Sequence, residues 1–375
     1  MLQKSVLYVF IILSTLIFSS TVSAIPLIDF VNPTPDNNAE TLSTSFIVNV
    51  SITEPTLKEI KYNWNSTNYT LYNDSLLFFM NFDNRSTLGE NATLAVDISK
   101  YSRNATISGN IIWNATGKYS GAYRFGNGSI TTSSIFLNNL PTFTFAGWIY
   151  AEATGSRIGF FGQNDAIEFG FIDANTIMLW TANGGSISWT INSTLFPLNT
   201  WNHVAVVGQN TTSPNLNFYL NGISRATGGN SATNFGTSNY NFSIGGGGVF
   251  DAIGNNFTGM IDNVMVFNYS LSSSEIYQLY TSSLTKYNST TWNLQINQSK
   301  NATDTLGYAA YTYSASAMNT SNSENATSTR TINIVSSLSS SSSVPEFSDY
   351  ALIFILISSL SSFFYIRSNP KQKGI

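Results

Sequence analysis

The chain has 375 residues, 10% of them charged, a formal net charge of −4, no cysteine and one histidine, His203. A soluble domain typically carries roughly 25% charged residues, so acid–base and His-dependent chemistries are poorly supplied, and the charge balance gives no footprint for nucleic acid. The absence of cysteine excludes a disulfide scaffold, a Cys-ligated zinc and a thiol nucleophile, while 26 Phe, 19 Tyr and 7 Trp still furnish cores for about two or three domains.

At the N-terminus, Lys4, the apolar run 6–18 and the small residues from Ser19 to Ala24 have the order of a secretory signal cleaved after Ala24. An uncleaved anchor helix is the alternative. Residues 25–73 offer strands at Leu27–Val31, 45–51 and 58–64, with a break at Pro33 and Pro35. From 74 to 283, short aromatic or alternating runs recur between Gly, Asn and Ser turns, the spacing of an all-β sandwich or jelly roll. The hairpin signal is clearest where Asn221-Gly222 supplies both positive-φ residues of a type I′ turn. One helix is expected after Ser272, which forms a capping box with Glu275; Ile276, Leu279 and Tyr280 then fall on one stripe.

Residues 284–335 offer strands at 291–296, 307–316 and 329–335. Each flank is small for a stable sandwich half. Joined, they have the size of one immunoglobulin-like (Ig-like) domain, so 25–73 and 284–335 are expected to form a single Ig-like β-sandwich with 74–283 inserted in it. Two separate β elements packed on the insert are the other reading. A serine-rich stalk follows at 336–349, then an uncharged apolar stretch at 350–366, at the short limit for a transmembrane helix. Arg367, Lys371 and Lys373 in the tail 367–375 place that tail in the cytoplasm and the bulk of the chain on the cell surface.

Asn-x-Ser/Thr triplets number 19, where random placement of this composition gives roughly 11. The excess points to N-glycosylation, with Asn49, Asn65, Asn68, Asn91, Asn104, Asn192, Asn210, Asn256, Asn288, Asn297, Asn319 and Asn325 as candidate acceptors. Asn, Ser and Thr also abound in turns, which is the structural alternative.

Several blocks occur in one order: Met80-Asn81-Phe82-Asp83, Val96 to Ile107, Gly121-Ala122-Tyr123-Arg124-Phe125-Gly126-Asn127-Gly128, Phe143 to Ile149, Trp201-Asn202-His203-Val204-Ala205-Val206, Leu220-Asn221-Gly222, Gly259 to Phe267, and Ser270-Leu271-Ser272 to Tyr280. This series resembles the LamG-like jelly rolls of the concanavalin A-like lectin/glucanase group. The Pro345-Glu346-Phe347 motif, the apolar stretch and the basic tail resemble the PEF-CTERM sorting signals of archaeal surface proteins, in which a sorting protease acts near the motif; an ordinary stop-transfer helix is the alternative. The LamG-like resemblance implies one structural Ca²⁺, held by Asp83, the carbonyl of Asn127 and the carboxylate of Asp262. It also implies a non-catalytic role in adhesion or in glycan or surface-protein recognition. A purely structural envelope glycoprotein and a polysaccharide-acting hydrolase remain alternatives.

Glycosidases need two carboxylates flanking the scissile bond. The nearest candidates, Glu168 with Asp173 and also Asp165 with Glu168, fall on opposite faces of a strand and read as solvated strand ends. His203 reads as a hydrogen-bonded structural histidine. Trp180 and Trp189, on adjacent expected strands, and Trp113 are the aromatics available for a sugar platform; core filling is their alternative role.

Overall fold

The computed structural model describes residues 24–246, 248–251, 253–300 and 304–338. The expected signal, the Pro-Glu-Phe motif, the apolar stretch 350–366 and the basic tail lie outside the described residues, as does most of the serine-rich stalk. Among the described residues no helix is long and apolar enough to cross a membrane.

Strands dominate the described residues, in three sheets. The largest has 14 strands. It runs from Gly185–Thr190 through Thr176–Thr181, Ile167–Asp173, Ile158–Gln163, Phe242–Ile244, Ala122–Thr132, Gly259–Phe267, Phe143–Ala151, Trp201–Gly208 and Leu216–Leu220 to Ile223–Gly228. Leu76–Met80 adds to Gly259–Phe267, and Ala105–Asn114 forms a hairpin with Ala122–Thr132. The first and last strands of this order meet, so the sheet folds over on itself into a jelly-roll-like sandwich. Its interior is largely phenylalanine: Phe125, Phe143, Phe145, Phe160, Phe161, Phe169 and Phe171 are all fully buried. Edge-on ring pairs such as Phe160–Phe171, 4.7 Å between centroids, fill it. The expected hairpin is present, with Asn221 at φ 51° and Gly222 at φ 78°. A side chain at Gly222 would press on Tyr277 and Tyr280 of the helix.

The two smaller sheets combine residues from before 73 and after 281. One has the order Leu27–Val31, Phe46–Thr53, Thr291–Gln298, Ser282–Lys286; the other runs Ala39–Thr41, Arg330–Ile334, Ala309–Asn319, Leu57–Trp64, Thr67–Tyr72. Phe46–Thr53 lies antiparallel to Thr291–Gln298 over eight residue pairs. Burial alternates along these strands, as expected where one face packs and the other is solvated. Val48, Val50, Ile52, Tyr62, Leu294, Ile296 and Tyr313 form the core between the sheets.

Central strands of the large sheet behave differently. Phe143–Ala151 and Gly259–Phe267 are buried at nearly every position. Their second face is covered too: Leu76, Phe79, Ala146, Ala205, Val207, Met265 and Phe267 join the same core as the smaller sheets, with Ile276 and Leu279 of the helix Ser273–Thr281. That helix starts at the expected capping box, Ser272 with Glu275. A bulge opposite Gly147 sets Asn263 at φ 50° and shifts the pairing between Ala146 and Trp148. Bulges of this kind re-aim side chains, and Asp262 sits directly before this one.

Candidate functional site

Where the large sheet, the helix and the smaller sheets meet there is a cleft of about 170 Å³, lined by Lys118, Tyr119, Trp148, Tyr277, Tyr280, Thr281, Asn297 and Ser299. Trp148 is its fixed wall. It comes from the outer face of Phe143–Ala151, opposite His203 on the neighbouring strand. Tyr280 stacks on it at 5.5 Å and 29°, and His203 and Tyr119 meet it edge-on at 5.2 and 6.0 Å. The Lys118 ammonium lies 4.1 Å from its ring centroid, a cation–π contact. With 3% of its surface exposed, Trp148 offers a ligand only an edge. The polar groups on the lining are the Lys118 ammonium, the tyrosine and serine hydroxyls and the Asn297 carboxamide, the Thr281 hydroxyl being spent on the Gln278 carbonyl. Tyr277 and Ser299 share a hydroxyl–hydroxyl hydrogen bond across the rim, tying the helix to the strand end.

Behind this wall the polar groups are sealed. His203 is 2% exposed and its Nδ1 has no hydrogen-bond partner. This corrects the expectation of a satisfied histidine. Burial, reinforced by Lys118, pushes its pKa down to about 3, so the ring is neutral. Asp262 is fully buried; its Oδ2 accepts the Tyr119 amide at 3.0 Å, and burial raises its carboxyl well above the usual range. Asp83 lies near enough to raise it further. Asp83 accepts from the Asn81 side chain at 2.8 Å and from the Gly121 amide at 3.3 Å, and burial brings its pKa up to about 6.

Of the three expected calcium ligands, then, Asp83 and Asp262 come together. Asn127 does not join them. It lies roughly 17 Å along the strand from Ala122; its carbonyl faces Gly109, and its side-chain oxygen accepts from Asn256. Two buried oxygens without partners, Asp262 Oδ1 and Asn81 Oδ1, stand on residues beside or coupled to Asp83. They are hard donors of the kind Ca²⁺ takes, so Asp83, Asp262 and Asn81 fit such an ion in kind, with Asn81 in the place expected of Asn127. Among the described residues no group of three or more His, Cys, Asp or Glu side chains forms a metal site. Asp97 is not available as a further ligand, because its carboxylate accepts the amides of Phe79, Ser99 and Arg103.

The other candidates are dispersed. Trp180 faces outward beside Glu168, Trp189 packs inward on Phe218, and the Trp113 ring nitrogen donates to the Phe82 carbonyl, so the three form no platform. Glu168 is not a solvated strand end. It is 5% exposed, accepts the Asp165 amide at 2.7 Å, and burial lifts its pKa to about 7.

Among the sequons, Asn65, Asn68, Asn91, Asn104, Asn192, Asn210 and Asn297 are exposed; Asn49, Asn256, Asn288 and Asn325 are half-buried. Asn319 is fully buried, its carboxamide donating to the Ala24 carbonyl and accepting the Ser321 and Ser323 amides. In the folded chain Asn319 is thus inaccessible. Sequence reasoning missed Lys118, Tyr119, Tyr277 and Asn297 as cleft residues. The one local signal was the i, i+3 pair Tyr277 and Tyr280, which a nine-residue helix brings to the same side.

Residues 124–277 match a laminin G-type family described as the concanavalin A-like lectin/glucanases superfamily, which supports the jelly-roll reading of this segment. No curated protein matches the sequence. Among solved structures, the chain is similar to domain 4 of AbnA, a GH43 extracellular arabinanase from Geobacillus stearothermophilus, in complex with arabinotriose. Identity is 20%, over 54% of this chain and 96% of that one, with a TM-score of 0.42. It is also similar to the botulinum neurotoxin type G receptor-binding domain (14% identity, 55% of this chain and 51% of that one, TM-score 0.42), about half of whose length it spans. The binding domain of botulinum neurotoxin DC in complex with SialylT is a further similar structure (14%, 68% and 73%, 0.43).

Proposed function

We propose that the protein is a non-catalytic, glycosylated cell-surface module that recognises a glycan in the Trp148–Tyr280 cleft, held at the membrane by the apolar stretch 350–366. The observation that carries this reading is the lining of the cleft. A rigid aromatic wall is surrounded by hydroxyl, carboxamide and ammonium groups, a donor and acceptor set suited to sugar hydroxyls. The absence of catalysis is supported by placement: Asp262 and His203 lie behind the wall, and among the described residues no carboxylate lines the cleft. In this proposal the sheets built from 27–72 and 282–334 are one Ig-like domain into which the jelly roll is inserted, making the cleft a junction feature.

Binding of the full chain to a glycan array is the test. Tyr280→Ala should weaken retention of the bound glycans by about tenfold or more, since one well-placed contact contributes about 1–3 kcal/mol, while Tyr240→Ala, which does not line the cleft, should not. If the wild-type chain retains no glycan at millimolar concentration, recognition is wrong and the structural envelope reading takes its place.

Calcium enters the proposal at Asp83, Asp262 and Asn81, where it would supply structural charge compensation only. A ligand that binds the folded state at a hundredfold above Kd stabilises by about 2.7 kcal/mol, so calcium should raise Tm by about 2–4 °C over the chelated protein, and Asp262→Asn should abolish the rise. An identical Tm with calcium and with chelator removes the ion from the account.

A further inference from the structure

Resting on the recognition reading above, we infer that the sugar taken by the cleft is acidic, a terminal residue carrying a carboxylate that pairs with Lys118. Lys118 is half-buried and held between aromatic rings, 4.1 Å from the Trp148 centroid and 5.7 Å from that of Tyr119. None of the ion pairs among the described residues includes it. Asp262 is fully buried behind the wall and makes no ion pair with Lys118. Packed between the Trp148 and Tyr119 rings and without an ion-pair partner, the ammonium is partly desolvated with no contact counter-charge. An incoming anion satisfies that ammonium; a neutral sugar does not, and it leaves a partly buried donor unpaired.

Size narrows the class. Pockets that enclose a drug-sized ligand measure about 300–1,000 Å³, whereas this cleft measures about 170 Å³. It accommodates one ring rather than a run of sugars, hence a chain end. The remaining rim groups, the Tyr280 and Ser299 hydroxyls and the Asn297 carboxamide, face the space beside the ammonium and are placed for ring hydroxyls.

The experiment titrates the full chain in detergent with three probes: an oligosaccharide ending in glucuronic acid, the same oligosaccharide with that carboxyl reduced to the alcohol, and sodium sulfate. The acidic probe should bind about tenfold or more tightly than the reduced one at low ionic strength, and the gap should narrow in 0.5 M salt, as roughly expected for a charge pair with a Debye length near 3–10 Å. Lys118→Met, which keeps the packing on Trp148, should bring the two affinities within about twofold; Lys118→Arg should preserve most of the gap. Equal affinities in the wild type, or a gap that survives Lys118→Met, overturns the acidic class while leaving recognition standing. Sulfate binding as tight as the acidic probe overturns the sugar in favour of a plain anion site. Failure of both saccharides to bind is instead the failure of the recognition reading.

Discussion

Residues 74–283, expressed without their flanks, should expose apolar surface, bind a hydrophobic dye and self-associate, melting at least 10 °C below the full chain. The segment 74–283 has an apolar interior of its own. Its second face does not: Leu76, Phe79, Met265 and Phe267, with Ile276 and Leu279 of the helix, share a core with Val50, Ile52, Leu294 and Ile296 of the smaller sheets. Each large apolar side chain returned to water forfeits about 1.5–3 kcal/mol, and several of them together rival the roughly 5–15 kcal/mol that holds a domain folded. The same face is a contiguous apolar patch of the kind that drives association. A triple substitution, Phe79→Thr, Met265→Thr and Phe267→Thr, should act with opposite signs in the two contexts. It should improve the solubility of the excised segment and lower the Tm of the full chain, because large-to-small changes in a core cost about 2–5 kcal/mol each. An excised segment that is monomeric and melts with the full chain would show that the shared core is not needed.

What the sequence made legible is what short-range chemistry decides. Asn221-Gly222 makes its turn whatever surrounds it, and Ser272 with Glu275 starts the helix from within one turn. The jelly-roll-like sheet was readable because its strand motifs are local. The cleft was not, because it draws residues from 118, 148, 203, 277–281 and 297–299, brought together only by the covering of the large sheet's outer face. Asn127 was misplaced for a related reason: a motif gives the order of strands but not how far along one a carbonyl lies. Glu168 read as solvated because alternation reports which face a residue takes, not what else covers that face.

Some of the sequons also have a structural use in the fold. In Asn73, Asn91, Asn114 and Asn288 the side-chain oxygen accepts both the amide and the hydroxyl of the residue two ahead, a turn that the Asn-x-Ser/Thr pattern itself builds. Asn319 and Asn325 use their carboxamides to hold the backbone at Ala24 and Pro26. The pattern therefore includes asparagines whose side chains build turns or hold the backbone, Asn91 among them although it is exposed.

Glu168→Gln should stabilise the protein at pH 8 and leave it nearly unchanged at pH 4.5. Glu168 points outward from Ile167–Asp173, paired with Gly162 on one side and Trp180 on the other. Burial is the main cause of its raised pKa; Asp251 and Asp165 add to it, and the Asp165 amide and Arg157 oppose it. In the unfolded chain the carboxyl titrates near its ordinary 4.5, whereas in the fold it titrates at about 7. Between those values the unfolded state has shed its proton and the folded state has kept it, so the unfolded state binds fewer protons and stability falls as pH rises. At about 1.4 kcal/mol per unit, that window is worth about 2–4 kcal/mol, complete above pH 7 and absent below 4.5. Gln keeps an oxygen for the Asp165 amide at this position and carries no charge to desolvate. Other raised carboxyls, Asp83 among them, titrate in the same range, so the quantity to follow is the difference in guanidinium unfolding free energy between variant and wild type across pH 4–8. It should be near zero at the acid end and grow to favour the variant by pH 8. A variant less stable than the wild type at pH 8 would mean that the carboxylate there is solvated or paired, and that its burial beside Trp180 does not govern its charge.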